Sequence, residues 1–355
     1  MDLIDKATEI REGEKFDSQR IEEFLMDSIP GLEGKLFVKQ FPSGFSNLTY
    51  LLKFGNSELV LRRPPFGRKA ATAHDMGREY KILSALKPVF PHCPEPLVYT
   101  EDESIMGCPF YIMRRIEGII LRKDLPAGLS LSPDEVGQLC KNLIDVQLQL
   151  HSIDYKSVGL EDFGKPDGYV RRQVDGWSKR YRQARTDDAP DFESVMGWLH
   201  GNMPDDTDKP SIIHNDYKFD NVVLDVKDPL KIIGVLDWEM ATIGDPLMDL
   251  GNSLAYWINR DDTEEIQSMR LLPTNIDGSL TRKELLEYYL LKSGITSNNF
   301  NYYYCFGLFR LAVIAQQIYY RFFHGQTKDK RFQMLIFAVQ ILENSAIRVI
   351  EGSGF

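Results

Sequence analysis

Between residues 35 and 63 apolar and polar positions alternate with a period of two, in runs at 35–41, 48–54 and 58–63. Pro42-Ser43-Gly44 and Gly55-Asn56-Ser57 place turn formers between the runs, so the pattern predicts a three-stranded antiparallel meander. The period then changes. Within 72–86, Ile82, Leu83 and Leu86 fall on one helical face, and Lys87-Pro88 stops the run. Two more strand-like runs, 95–100 and 110–116, flank the polar turn Glu101-Asp102-Glu103. The order expected for this part is β-β-β-α-β-β.

Beyond Glu117-Gly118 the pattern is mostly helical. Ser132 as N-cap, Pro133 in the first turn and the acidic Asp134-Glu135 lead into a helix over 136–151. A short hairpin interrupts, with strands at 222–224 and 231–236 and a turn at Lys227-Asp228-Pro229. Stretches 185–191 and 204–210 read as polar loops. The expected architecture is α+β in two lobes, a small antiparallel sheet with one helix over 1–116 and a larger, mainly helical lobe over 117–355. A chain of 355 residues with 43% hydrophobic content has enough apolar matter to fill both.

Charge and cysteines narrow the partners. A formal net charge of -10 repels a phosphate backbone, so no nucleic acid is expected as an extended partner. Cys93, Cys108, Cys140 and Cys305 are far apart with no CxxC pair, which fits reduced thiols and a cytoplasmic location. Residues 1–12 carry charges throughout, and the apolar stretch 308–323 is interrupted by Arg310, Gln316, Gln317 and Arg321, so neither export nor a membrane is expected.

The chemistry gathers around the hairpin. His214-Asn215-Asp216-Tyr217-Lys218-Phe219-Asp220-Asn221 puts an Asp five residues before an Asn on the loop entering it, and Asp237 ends its second strand. Phosphoryl transfer needs a carboxylate to orient an attacking hydroxyl and oxygen ligands that fix magnesium against phosphates. An Asp-x4-Asn alone carries little weight, because both residues commonly cap turns.

Taken with Asp237-Trp238-Glu239, Gly244-Asp245-Pro246 and Asp249-Leu250, the loop resembles the catalytic loop of the protein-kinase-like fold and, more closely, that of the aminoglycoside phosphotransferase family. Within that family it is most similar to the phosphotransferase domains fused to acyl-CoA dehydrogenases. The likeness runs from about Phe41 to about Trp257. It implies a kinase that moves a phosphoryl group from ATP or GTP to a small hydroxylated molecule. Asp216 would be the base, Asn221 and Asp237 the Mg2+ ligands, and His214 a support beneath the loop. Lys218 departs from the family's usual histidine; it either neutralises charge on the phosphoryl group or is a solvated loop lysine.

In the amino-terminal lobe the resemblance assigns the nucleotide to the loop holding Gly44, Ser46 and Asn47, to Arg62 where kinases have a lysine, to Glu79 as its helix partner, and to the strand end at Met113 and Arg115. Period two puts Val60 and Arg62 on one face of their strand and Arg63 on the other. Asp245 and Asp249 read as structural acceptors for backbone N–H groups, and His151 as a helix-end packing residue.

Two rivals remain. A protein kinase is disfavoured because only seven residues separate Asp237 from Asp245, and Asp-Trp-Glu replaces Asp-Phe-Gly. A nucleotide-binding pseudokinase is favoured by Arg62 and the glycine-poor loop, and disfavoured by the intact Asp216, Asn221 and Asp237. The aromatic run 300–323, with Arg310 and Arg321 and no Asp or Glu, reads as a core helix or as an acceptor site for an apolar body with an anionic group, such as a hydroxyacyl thioester.

Overall fold

A computed structural model describes residues 3–42, 47–66, 75–297, 299–327 and 329–352. These form two compact units. The first comprises Met1–Ile120, Val158–Leu160 and Asn221–Met240, the second Leu121–Ser157, Glu161–Asp220 and Ala241–Phe355.

The first unit opens with a helix, α1 (Ser18–Ser28), capped by the Asp17 carboxylate. Strands β1 (Leu36–Gln40), β2 (Leu48–Phe54) and β3 (Ser57–Arg63) follow, then α2 (Met76–Leu86), β4 (Pro96–Thr100), the short α3 (Glu103–Met106) and β5 (Phe110–Arg114). The antiparallel sheet has the order β1-β2-β3-β5-β4. Alternation sorts its faces. Tyr50, Leu52, Phe54, Leu59, Leu61, Phe110 and Ile112 bury together with Ile21 and Leu25 of α1. Helix α1, outside the elements expected from the sequence, buries Ile21 and Leu25 and sets Phe24 edge-on to Phe110 at 5.4 Å, an i, i+3, i+4 stripe. Helix α3 occupies the expected Glu101-Asp102-Glu103 turn, with Asp102 accepting from the Ser104 N–H.

The second unit is built on α4 (Pro133–His151), α5 (Tyr169–Ala184) and α6 (Glu193–Gly201), followed by the strand β6 (Ser211–Ile213). Next in the chain come β7 (Val222–Leu224) and β8 (Ile232–Val235), then β9 (Thr242–Gly244), α7 (Pro246–Ala255), α8 (Glu264–Ser268), α9 (Arg282–Ser293), α10 (Phe300–Phe323) and α11 (Leu335–Ile350). The cap expected for α4 is present, with Ser132 and Glu135 bonding reciprocally. Helix α10 lies against α5, α7 and α11, and Tyr302, Tyr303, Tyr304, Phe306 and Phe309 are buried. The first half of the aromatic run is therefore core, whereas Phe323 at its end is exposed.

The hairpin β7–β8 was expected with the carboxyl-terminal lobe, and it packs instead in the first unit. Backbone bonds explain this: Ile119 and Leu224 exchange N–H···O bonds of 2.9 and 2.8 Å, and the Val235 N–H donates to the His92 carbonyl at 2.8 Å. Among the described residues one helical stretch, Lys330–Ile350, is long and apolar enough to cross a membrane; Ile336, Val339, Leu342, Ala346 and Val349 on it are buried.

Candidate active site

The expected site residues divide between the units. Asn47, Arg62, Glu79, Met113, Arg115, Asn221 and Asp237 belong to the first, Asp216 and Lys218 to the second. Gly44 and Ser46 lie outside the described residues.

In the first unit the sheet register sets Arg62 opposite Thr49 on one side and Tyr111 on the other. Its guanidinium is nearly fully buried among carboxylates. Nη2 is 2.8 Å from Asp237 Oδ1 and 3.5 Å from Glu239 Oε2. Nε lies 3.0 Å from Glu79 Oε2 without hydrogen-bond alignment, so the attraction there is ionic. Glu79 also accepts from the Tyr111 hydroxyl at 2.7 Å and from Asn47 Nδ2 at 3.0 Å, and Asn47 donates to Glu239 Oε2 at 2.7 Å. Burial pushes the Glu79 carboxyl above its ordinary range against the pull of Arg62, and the nearby Asp237 charge adds to the push. Burial also opposes the charge on Arg62, but its carboxylate neighbours outweigh it, so the guanidinium is held protonated.

Arg63 points to the opposite face, as the alternation requires, but it is buried rather than solvated: its guanidinium stacks 3.6 Å from the Phe66 ring centroid and Nε donates to the Pro64 carbonyl at 3.0 Å. Met113 is a buried sheet residue opposite Val60. Arg115 is tied elsewhere in this unit: it pairs with Glu58, donates from Nη2 to the Asp5 carbonyl at 2.7 Å, and its backbone N–H bonds the Glu58 carbonyl at 3.2 Å. Those partners keep its side chain out of the Arg62 cluster.

Asp237 has a left-handed backbone, φ 66°, which Asp tolerates better than bulkier residues. The Leu236 N–H donates to the Asn221 carbonyl at 2.8 Å, which brings the two expected magnesium ligands to adjacent backbone.

In the second unit Asp216 follows Asn215, also left-handed at φ 63°. The loop is pinned from beneath by Asp249, which is fully buried. Its Oδ1 accepts the Asn215 N–H at 2.6 Å and its Oδ2 the His214 N–H at 3.2 Å. Oδ2 also meets Gln147 Nε2 at 3.2 Å and His151 Nε2 at 2.9 Å, while His151 Nδ1 lies 2.7 Å from the Tyr289 hydroxyl. Burial works against the Asp249 charge, but the His151 hydrogen bond and the other donors win and hold the carboxyl below its ordinary value. His214 is buried, and its Nδ1 accepts the Asp216 N–H at 3.2 Å.

Lys218 is not a solvated lysine. Its ammonium is 2.7 Å from Asp216 Oδ2, 3.1 Å from Asp220 Oδ1 and 5.2 Å from the centre of the Tyr256 ring. Burial opposes its charge, yet the two carboxylates raise its pKa above the ordinary lysine value.

Several of these partners were not legible. Glu239 and Tyr111 join Arg62 only through the sheet register and the turn after Asp237. Asp245 does cap its own helix, accepting the Leu247 N–H at 2.8 Å. Asp249 instead serves a loop more than thirty residues earlier, and His151 is its hydrogen-bond partner rather than a packing residue.

The comparisons with known proteins bear on the family. The model of the phosphotransferase enzyme family matches residues 38–271. The chain belongs to this family. A rat relative of this phosphotransferase, acyl-CoA dehydrogenase family member 11, is 33% identical over 98% of the chain. The human protein of that name is 34% identical over 94%. The phosphotransferase chain spans less than half the length of these curated relatives, 45% and 43%. A solved Ralstonia eutropha protein assigned to the aminoglycoside phosphotransferases superposes with a TM-score of 0.80 at 29% identity, covering 96% of this chain and 99% of that one. The phosphotransferase therefore has the kinase-like α+β fold.

Proposed function

We propose that this phosphotransferase moves the γ-phosphoryl group of ATP or GTP to a hydroxyl of a small metabolite, with a hydroxyacyl thioester as the favoured acceptor. The observation that carries the reading is the clasp of Asp216 by Lys218 on a loop pinned by Asp249.

Asp216 orients the acceptor hydroxyl and takes its proton on a carboxylate oxygen. Lys218 keeps that carboxylate in one rotamer and supplies positive charge beside the reacting oxygen. In the first unit Arg62 pairs with nucleotide phosphate oxygens and Glu79 holds it in place. The amide oxygen of Asn221 and the carboxylate of Asp237 form a hard, all-oxygen donor pair on adjacent backbone, which suits Mg2+ held jointly by protein and phosphates. Bound there, magnesium would offset the charge of the phosphate oxygens. Nucleotide use is supported by the solved GDP and kanamycin complex of APH(2")-IIia, which shares the fold with a TM-score of 0.60 at 16% identity. The thioester is supported by the acyl-CoA dehydrogenase relatives, whose names point to acyl thioester chemistry.

The test is nucleotide-dependent phosphate transfer to hydroxyacyl-CoA compounds and to kanamycin-type aminoglycosides at matched concentrations. Asp216→Asn and Asp237→Asn should both abolish transfer, and magnesium-dependent nucleotide binding should survive only the first. Unchanged binding in Asp237→Asn would refute the metal assignment, and turnover of aminoglycosides alone would refute the acceptor.

A further inference from the structure

Arg310, on α10 of the second unit, is 3% exposed, and its guanidinium makes no hydrogen bond and no ion pair among the described residues. Its guanidinium faces an indole: Cζ lies 5.2 Å from the centre of the buried Trp177 ring on α5. The exposed Arg180 stands over the same ring at 4.6 Å. Two like charges thus stand near one indole ring, and among the described residues no carboxylate pairs with Arg310, which is costly for a buried group unless something anionic joins it.

The position of Arg310 follows from helix packing. α7 and α10 meet at glycines, since a Cβ on Gly307 would run into the Gly251 carbonyl and lie 3.2 Å from Ala255 Cβ. One turn further along the same face of α10 comes Arg310, beside Tyr256 at the end of α7. Tyr256 carries the Lys218 ammonium 5.2 Å from its ring centre, and Lys218 holds Asp216 at 2.7 Å. The charges of Asp216, Lys218 and Arg310 all act on the Tyr256 hydroxyl, which burial already holds protonated. Asp216, Lys218, Tyr256, Arg310 and Trp177 thus form one connected series inside the second unit.

We propose that Arg310, backed by the Trp177 indole, binds an anionic group on the acceptor and so selects acceptors that join an apolar body to a negative charge, an inference that rests on the phosphotransferase reading of Asp216. The anion could come from the carboxylate of a free hydroxy acid or from the phosphates of a coenzyme A thioester. A planar guanidinium binds either in two-pronged fashion.

Equilibrium binding tests this without turnover. Calorimetric titrations of 3-hydroxyoctanoate, its coenzyme A thioester and its methyl ester are run on the wild type, Arg310→Met and Arg310→Lys. The expected result is tight binding of at least one anion, weakened about 10- to 100-fold in Arg310→Met, partly recovered in Arg310→Lys, with the methyl ester unaffected. Melting of Arg310→Met at or above the wild-type temperature is expected, because an unpaired buried charge is removed. A loss confined to the acid assigns the carboxylate, and one confined to the thioester assigns the phosphates. Failure of both anions to bind the wild type, or an equal loss for the ester, overturns the proposal. If Arg310-dependent binding persists while no phosphate transfer is found with any acceptor, the reaction assignment fails and the subsite stands.

Discussion

Asp249→Asn separates a residue that shapes the loop carrying Asp216 from one that merely fills space. The carboxylate accepts four hydrogen bonds, one on Oδ1 from the Asn215 N–H and three on Oδ2 from the His214 N–H, Gln147 and His151. An asparagine in the same rotamer can keep the Oδ2 set, but its NH2 group then faces the Asn215 N–H. One buried N–H left unmade costs about 1–3 kcal/mol, and the remaining bonds lose their charge assistance. Relief of the buried charge offsets part of this, so the net destabilisation should be about 3 kcal/mol. Urea unfolding should show a lower midpoint at unchanged slope. Because Asn215 precedes Asp216, a displacement of about 1 Å should lower kcat about 100-fold. Nucleotide affinity should be unchanged, since Arg62, Asn221 and Asp237 belong to the other unit. The sign with pH follows from the depressed Asp249 pKa: its stabilisation is complete above the ordinary Asp value of 3.8 and is lost as pH falls through the lower folded value. The wild type should therefore show a component of acid destabilisation that the variant lacks. Asp245→Asn is the control, because an Asn still caps α7 and the change should cost under about 1 kcal/mol with kcat intact. Normal kcat in a destabilised Asp249→Asn enzyme would refute the control of Asp216 by Asp249.

Arg62→Ala should weaken nucleotide binding and destabilise the fold by about 3–5 kcal/mol, because Glu79, Asp237 and Glu239 are left as uncompensated carboxylates. Arg63→Ala should lower the melting temperature through lost packing on Phe66 while leaving nucleotide Kd alone, and equal binding defects in the two variants would show that the strand faces are misassigned. Gly307→Ala forces α7 and α10 apart at Gly251 and should cost about 1–3 kcal/mol in chemical denaturation, whereas Gly197→Ala on α6, where a Cβ meets nothing within 4 Å, should stabilise by about 0.5–1 kcal/mol.

The sequence by itself determined the period-two sheet, the face of β3 that carries Arg62, the helix cap at Ser132 and the loop from His214 to Asn221, because each is a local pattern of side-chain size, polarity and turn chemistry. The Arg62–Glu79 pair came from the resemblance to the kinase fold, and the two side chains do meet, at 3.0 Å. Only the tertiary structure decided the rest. Asp249 read as a local structural acceptor because it follows the turn Gly244-Asp245-Pro246, yet its backbone partners lie 34 and 35 positions away. Lys218 was ambiguous because solvation and pairing use the same residue, and the choice depended on how Asp216 and Asp220 fold back around it. The hairpin's place in the first unit rests on pairing with Ile119 and His92, backbone groups that carry no signature in the chain. Arg310 likewise stood in an aromatic run that reads as core or as an acceptor site. Its burial with no ion pair among the described residues is a property of its surroundings.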